Sequence, residues 1–115
     1  MTSSAAPDRA TLVDAFRSQA RGCAAAGSPT YAELLERAAR DLADGGVFAE
    51  LVADYRGQPL LDALPLRIFG ALHALVLEGR APALARYYAT AGGRFEAEGA
   101  WRALLEVAAA HRAEL

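Results

Sequence analysis

The stretch Pro65-Leu66-Arg67-Ile68-Phe69-Gly70-Ala71-Leu72-His73-Ala74-Leu75-Val76-Leu77-Glu78 constrains this chain most. Wound as a helix, it spreads Leu66, Ile68, Phe69, Leu72, Leu75, Val76 and Leu77 over most of its circumference. A helix that is apolar nearly all round belongs inside a bundle, where other helices remove it from water. Gly79 stops it. A further helix restarts at Pro82 and reaches about Ala91, before Gly92-Gly93.

The remaining segments read the same way. Leu12, Phe16, Ala20, Cys23 and Ala24 share one face of a helix from about Asp8 to Ala26, which Gly27 ends. Ser28-Pro29 opens the next, with Ser28 as the expected cap and Pro29 in the first turn, where its missing N–H costs nothing. Its inner face is Tyr31, Leu34, Leu35, Ala38, Ala39 and Leu42. Its outer face carries Glu33, Arg37 and Asp41 in one row and Glu36, Arg40 and Asp44 in another. Those rows are spaced for ion pairs along the helix. Gly45-Gly46 closes it, a short helix covers about Val47 to Tyr55, and a last one covers about Glu96 to Glu114. No segment alternates with period two. The predicted fold is all-α: a single-domain bundle of five or six helices around a central apolar helix at about 65–78. Residues 1–6 form a disordered tail and 7–115 the helical domain.

Composition narrows the functional classes. At 54% hydrophobic and 23% charged, the chain is globular. A net charge of −2 without a basic cluster argues against a nucleic acid partner. All 12 basic residues are Arg, in an Ala-rich pattern typical of GC-rich bacterial genomes. Without Lys, the chain holds neither a Schiff-base lysine nor a phosphate-loop lysine. A single cysteine, Cys23, forms no internal disulfide and fits a reducing compartment. No apolar run reaches the roughly 18 residues of a membrane span, and the N-terminus lacks a signal-peptide pattern. The expectation is a cytoplasmic protein without a membrane partner.

The candidate binding residues are Arg67, His73, Arg80, Tyr87 and Tyr88. His73 can act as a base or orient a ligand, or it can be a core histidine bonded to a carbonyl or hydroxyl. Arg67 and Glu78 share a stripe with Ala71 and Ala74, which makes either a packing groove with charged ends or the floor of a cleft. Tyr87, Tyr88 and Gly92-Gly93 can line a pocket with Arg80 and Arg94 at its mouth, since Arg suits planar anions. The same residues can equally be core aromatics and a turn. Cys23 reads as a small hydrophobe, and His111 as a favourable cation at a helix end. No catalytic set and no metal motif is expected. Tyr88 and Trp101 are the candidate interface, for a homodimer or for a separate catalytic chain.

Several segments together resemble the N-terminal part of a bacterial family known as domain of unknown function 2332. They are Ala15-Phe16-Arg17-Ser18-Gln19-Ala20, Gly27-Ser28-Pro29-Thr30-Tyr31, Leu64-Pro65-Leu66-Arg67-Ile68-Phe69-Gly70-Ala71-Leu72-His73, Gly79-Arg80-Ala81-Pro82-Ala83-Leu84, and Ala91-Gly92-Gly93 with Ala100-Trp101. Where the family has Tyr-Pro-Ser before the double glycine, this chain reads Tyr88-Ala89-Thr90, which leaves the fifth helix free to run on. The resemblance implies a missing part. Longer members carry a glycine-rich segment similar to that of S-adenosylmethionine-dependent methyltransferases, and this chain has none. The resemblance therefore implies a non-catalytic helical accessory domain that binds no cofactor itself. The alternatives are a stand-alone homodimeric interaction module, or a small-molecule-binding bundle using His73 and Tyr88.

Overall fold

The computed structural model describes residues 7–53, 55–60, 62–87 and 95–112. Within them the chain is all-α, and no strand occurs among the described residues. The helices are α1 (Arg9–Ala25), α2 (Pro29–Ala43), α3 (Val47–Leu51), α4 (Leu64–Leu77), α5 (Pro82–Ala85) and α6 (Ala97–Ala110). Two compact units divide the chain, Met1–Leu66 and Arg67–Leu115, and the division falls inside α4.

The first unit is built on the packing of α1 against α2. Asp8 caps α1, its carboxylate accepting the Thr11 N–H at 2.8 Å. Leu12, Val13, Ala15, Phe16 and Ala20 form the buried face of α1, and Leu34, Leu35, Ala38, Ala39 and Leu42 that of α2. Cys23 is half-buried and Ala24 exposed, so the inner face ends a turn earlier than the sequence predicts. Phe16 meets Phe48 of α3 edge-on, with ring centroids 5.9 Å apart at 79°. Both rings are fully buried. Each large side chain buried in this way contributes about 1.5–3 kcal/mol.

The ends of α1, α2 and α4 obey the sequence. At the end of α1, Gly27 has φ +85°, its N–H donates to the Ala24 carbonyl, and the Ser28 N–H donates to the Cys23 carbonyl at 2.8 Å. This closure needs a left-handed residue, which glycine supplies without a Cβ clash. α2 and α4 end with the same pair of bonds at Gly45 and Gly79. Pro29 and Pro82 stand in the first turns of α2 and α5.

Three local expectations are corrected. Ser28 makes no side-chain cap to α2, because at φ −114° and ψ 78° its backbone lies outside the extended geometry of a capping residue. Glu36 pairs with Arg17 of α1 at 3.3 Å, not with Arg40 one turn along its own helix. Asp41 turns toward α3, where its carboxylate accepts the Phe48 N–H at 2.8 Å. The expected pair of Arg37 with Glu33 is present at 2.7 Å.

In α4, Ile68, Phe69, Leu72, Leu75 and Val76 are buried. The helix is not enclosed on every side, however: Leu66 is 39% and Leu77 63% exposed. At 100° per residue these two fall with Gly70 and Ala74, across the helix from Leu72. An apolar composition set the burial of one broad face but did not cover this one. α3 and α5 are each shorter than predicted. α5 is a single turn that gives way to a turn at Arg86-Tyr87, and the part of the predicted helix from Tyr88 to Ala91 lies outside the described residues.

In the second unit α5 packs on α6. Leu84, Ala100, Ala103, Leu104, Val107 and Ala108 are buried. Glu96 caps α6, its two carboxylate oxygens accepting the Glu98 and Gly99 N–H groups at 2.9 Å each.

Candidate binding grooves

Arg67 and Arg80 do not converge. Arg67 is exposed in the first turn of α4, and Arg80 is exposed beyond its last turn. The rise from Arg67 to Leu77 alone is about 15 Å of helix. Arg80 pairs with Glu78 at 3.4 Å. His73 is half-buried in the middle of α4. Residue type groups these three, but the length of one straight helix keeps the two arginines apart.

Tyr87 lies in the turn after α5, half-buried. A Cβ at Gly99 would stand 2.4 Å from the Tyr87 hydroxyl oxygen, so the hydroxyl rests where only glycine leaves room on the first turn of α6. The side chain lines a groove of about 330 Å³ with Arg86, Arg102 and Glu106, over the small residues Ala83 and Ala103. The arginines beside Tyr87 are therefore Arg86 and Arg102; the expected Arg80 is not among the groove's residues, and Arg94 lies outside the described residues. Sequence reasoning missed Arg102 because it is remote from Tyr87 along the chain and joins it only through the packing of α5 on α6. Tyr88, Ala91 and Gly92-Gly93 also lie outside the described residues. Trp101 is half-buried on α6.

A larger groove of about 810 Å³ lies within the first unit. Thr11, Asp14, Ala15, Ser18 and Arg21 form one wall, at the spacing of a single face of α1. Residues 57–60 form the other. The loop is tied by the Tyr55 hydroxyl, which donates to the Asp62 carboxylate. Leu60, 52% exposed, stands at its edge. Nothing in the local sequence pairs α1 with this loop, so the groove is not legible in the sequence.

Among the described residues no group of three or more His, Cys, Asp and Glu side chains could hold a metal ion, and no helix is long and apolar enough to cross a membrane. The described residues thus define an all-α protein whose charged groove residues, Asp14, Arg21, Arg86, Arg102 and Glu106, are exposed. The chain belongs to a bacterial family described as "uncharacterized protein conserved in bacteria (DUF2332)", whose model matches residues 13–115. The family is the one that the sequence resemblance indicated. No curated protein and no solved structure matches the chain.

Proposed function

We propose that this chain is a non-catalytic helical accessory domain of its family, working by docking through the exposed side of α4. The observation that carries the reading is Leu77, 63% exposed beside the exposed Ala74 and Gly70. Leaving most of so large an aliphatic side chain in water forgoes part of the roughly 1.5–3 kcal/mol that full burial of a leucine gives. Small neighbours let a facing backbone come close. The family resemblance supplies the partner's class: the glycine-rich, methyltransferase-like region of longer members. Cytoplasmic location belongs to the same reading.

The second reading is self-association, and one observation favours it. Arg67 and Glu78 stand at opposite ends of the same side of α4. Two copies packed antiparallel would set each Arg67 against the Glu78 of the other, with Gly70 and Ala74 at the crossing. One helix face is small against the roughly 1,200–2,000 Å² of a stable interface, so this dimer would be weak.

Light scattering of the chain, alone and mixed with a separately expressed C-terminal region of a longer family member, tests both. The accessory reading expects a mixed complex that Leu77→Glu weakens while circular dichroism stays unchanged. A dimer lost in Arg67→Glu and restored by combining Arg67→Glu with Glu78→Arg supports the second reading instead. A chain that stays monomeric at high concentration and ignores the C-terminal region overturns both.

A further inference from the structure

We propose that the groove between α5 and α6 binds a small carboxylic acid, with Arg86 and Arg102 holding the carboxylate and Tyr87 donating a hydrogen bond to it. The proposal stands on side chains of the second unit alone and does not depend on the docking surface of α4.

Three donors line this groove. Arg86 comes from the turn after α5 and Arg102 from the second turn of α6. Neither has a hydrogen-bond or ionic partner among the described residues, although other arginines of the chain do, such as Arg17 with Glu36 and Arg37 with Glu33. The Tyr87 hydroxyl is likewise without a partner among the described residues. It reaches the groove because Gly99 offers no Cβ to meet it. Glycine at that helical position gives up helix propensity that alanine would supply. A site built of donors is completed by a ligand that only accepts.

Charge selects among oxyanions. Arg86 and Arg102 bring two positive charges, and Glu106, in the same groove one turn beyond Arg102, brings one negative. The net charge of one positive among the lining residues matches a monoanion, and the Glu96 carboxylate, which caps α6 beside the Tyr87 hydroxyl at Gly99, weighs further against a dianion. A phosphate monoester, close to doubly charged at neutral pH, would leave uncompensated negative charge beside Glu106. A carboxylate also fits the planar fork of a guanidinium in the bidentate manner. Ala83 and Ala103 offer the rest of the molecule an apolar floor, and about 330 Å³ is at the small end of ligand sites. The ligand class is thus a small organic acid with a compact apolar body.

Benzoate is a suitable probe, with benzamide as its uncharged counterpart and inorganic phosphate as the competing anion. Chemical shifts of the Gly99 amide and of the Arg86 and Arg102 side-chain N–H groups report binding in the full chain. Benzoate should shift them saturably in the millimolar range, and benzamide should not. Arg102→Gln should weaken benzoate by about tenfold, equivalent to 1.4 kcal/mol, and Arg102→Lys by less, because it keeps the charge and loses the fork. Glu106→Gln should tighten benzoate, since it removes the competing carboxylate. Arg102 and Glu106 are both exposed, so these variants should keep the wild-type helix content. Any of four results overturns the proposal: no saturable shift, equal binding of benzamide, phosphate binding tighter than benzoate, or weaker benzoate binding by Glu106→Gln.

Discussion

Asp41 of α2 reaches across the turn to cap α3, its carboxylate accepting the Phe48 N–H at 2.8 Å. The contact is possible because residue 46 is glycine. A Cβ at Gly46 would stand 2.1 Å from an Asp41 carboxylate oxygen. A helix of only five residues cannot sustain itself by its own hydrogen bonds. The cap and the burial of Phe48 hold it, and Phe48 in turn fills the space against Phe16.

Asp41→Ala should therefore destabilise the chain by about 1 kcal/mol, as loss of a helix cap does. Gly46→Ala should cost at least as much by pushing the same carboxylate away. The double variant should lose little more than either single one, a coupling within the range of about 0.5–3 kcal/mol found for contacting residues. Urea denaturation of the four proteins measures it; additive losses would show that Asp41 and Gly46 act separately.

Ala63 holds φ +52°, a left-handed conformation, just before α4. Its N–H donates to the Leu60 carbonyl and the next N–H, of Leu64, to the Pro59 carbonyl. This is the closure that glycine makes after α1, α2 and α4, here forced on a residue with a Cβ. The strain is about 1–2 kcal/mol. Part of its relief is offset by the greater chain entropy of glycine in the unfolded state. Ala63→Gly should raise stability by about 0.5–1 kcal/mol net, seen as a higher thermal midpoint. A lower midpoint would contradict the assignment.

Leu72 and Leu77 lie on the same helix with opposite surroundings. Leu72 is fully buried and Leu77 is 63% exposed. Leu72→Ala should cost about 2–5 kcal/mol through the cavity it leaves. Leu77→Ala should change stability by no more than about 0.5 kcal/mol, as surface substitutions do. Equal losses would mean that both sides of α4 are covered.

Asp8 is held below its ordinary value of 3.8 by hydrogen bonds from Thr11, the side chain first and then the backbone N–H. A carboxylate with a lowered folded value stabilises the fold above its unfolded value. That contribution is lost as pH falls through the lowered one. As pH falls through 3.8 and below it, the wild-type thermal midpoint should thus drop more steeply than that of Asp8→Asn, which keeps a capping side chain. Parallel curves would remove Asp8 from the acid response.

Sequence alone determined where α2 and α5 begin and where α1, α2 and α4 end, but not where α3 and α5 end. Pro29 and Pro82 start α2 and α5, and Gly27, Gly45 and Gly79 follow α1, α2 and α4, because a missing N–H or a positive φ is a property of a single residue and needs no partner. The inner faces of α1 and α2 were legible too, since 3.6-residue spacing puts Leu12 and Phe16, or Leu35 and Leu42, on one side of a helix. Tertiary structure decided which partner each polar side chain took. Glu36 had Arg40 a turn away and paired with Arg17. Asp41 had Arg37 a turn away and bonded to the Phe48 N–H. It also decided which side of α4 stayed in water, leaving Leu77 exposed, and it brought Tyr87 to Gly99 and Arg102. Ion pairs, coverage and grooves all depend on what other segments place within a few ångströms, and a one-dimensional pattern carries no such distances.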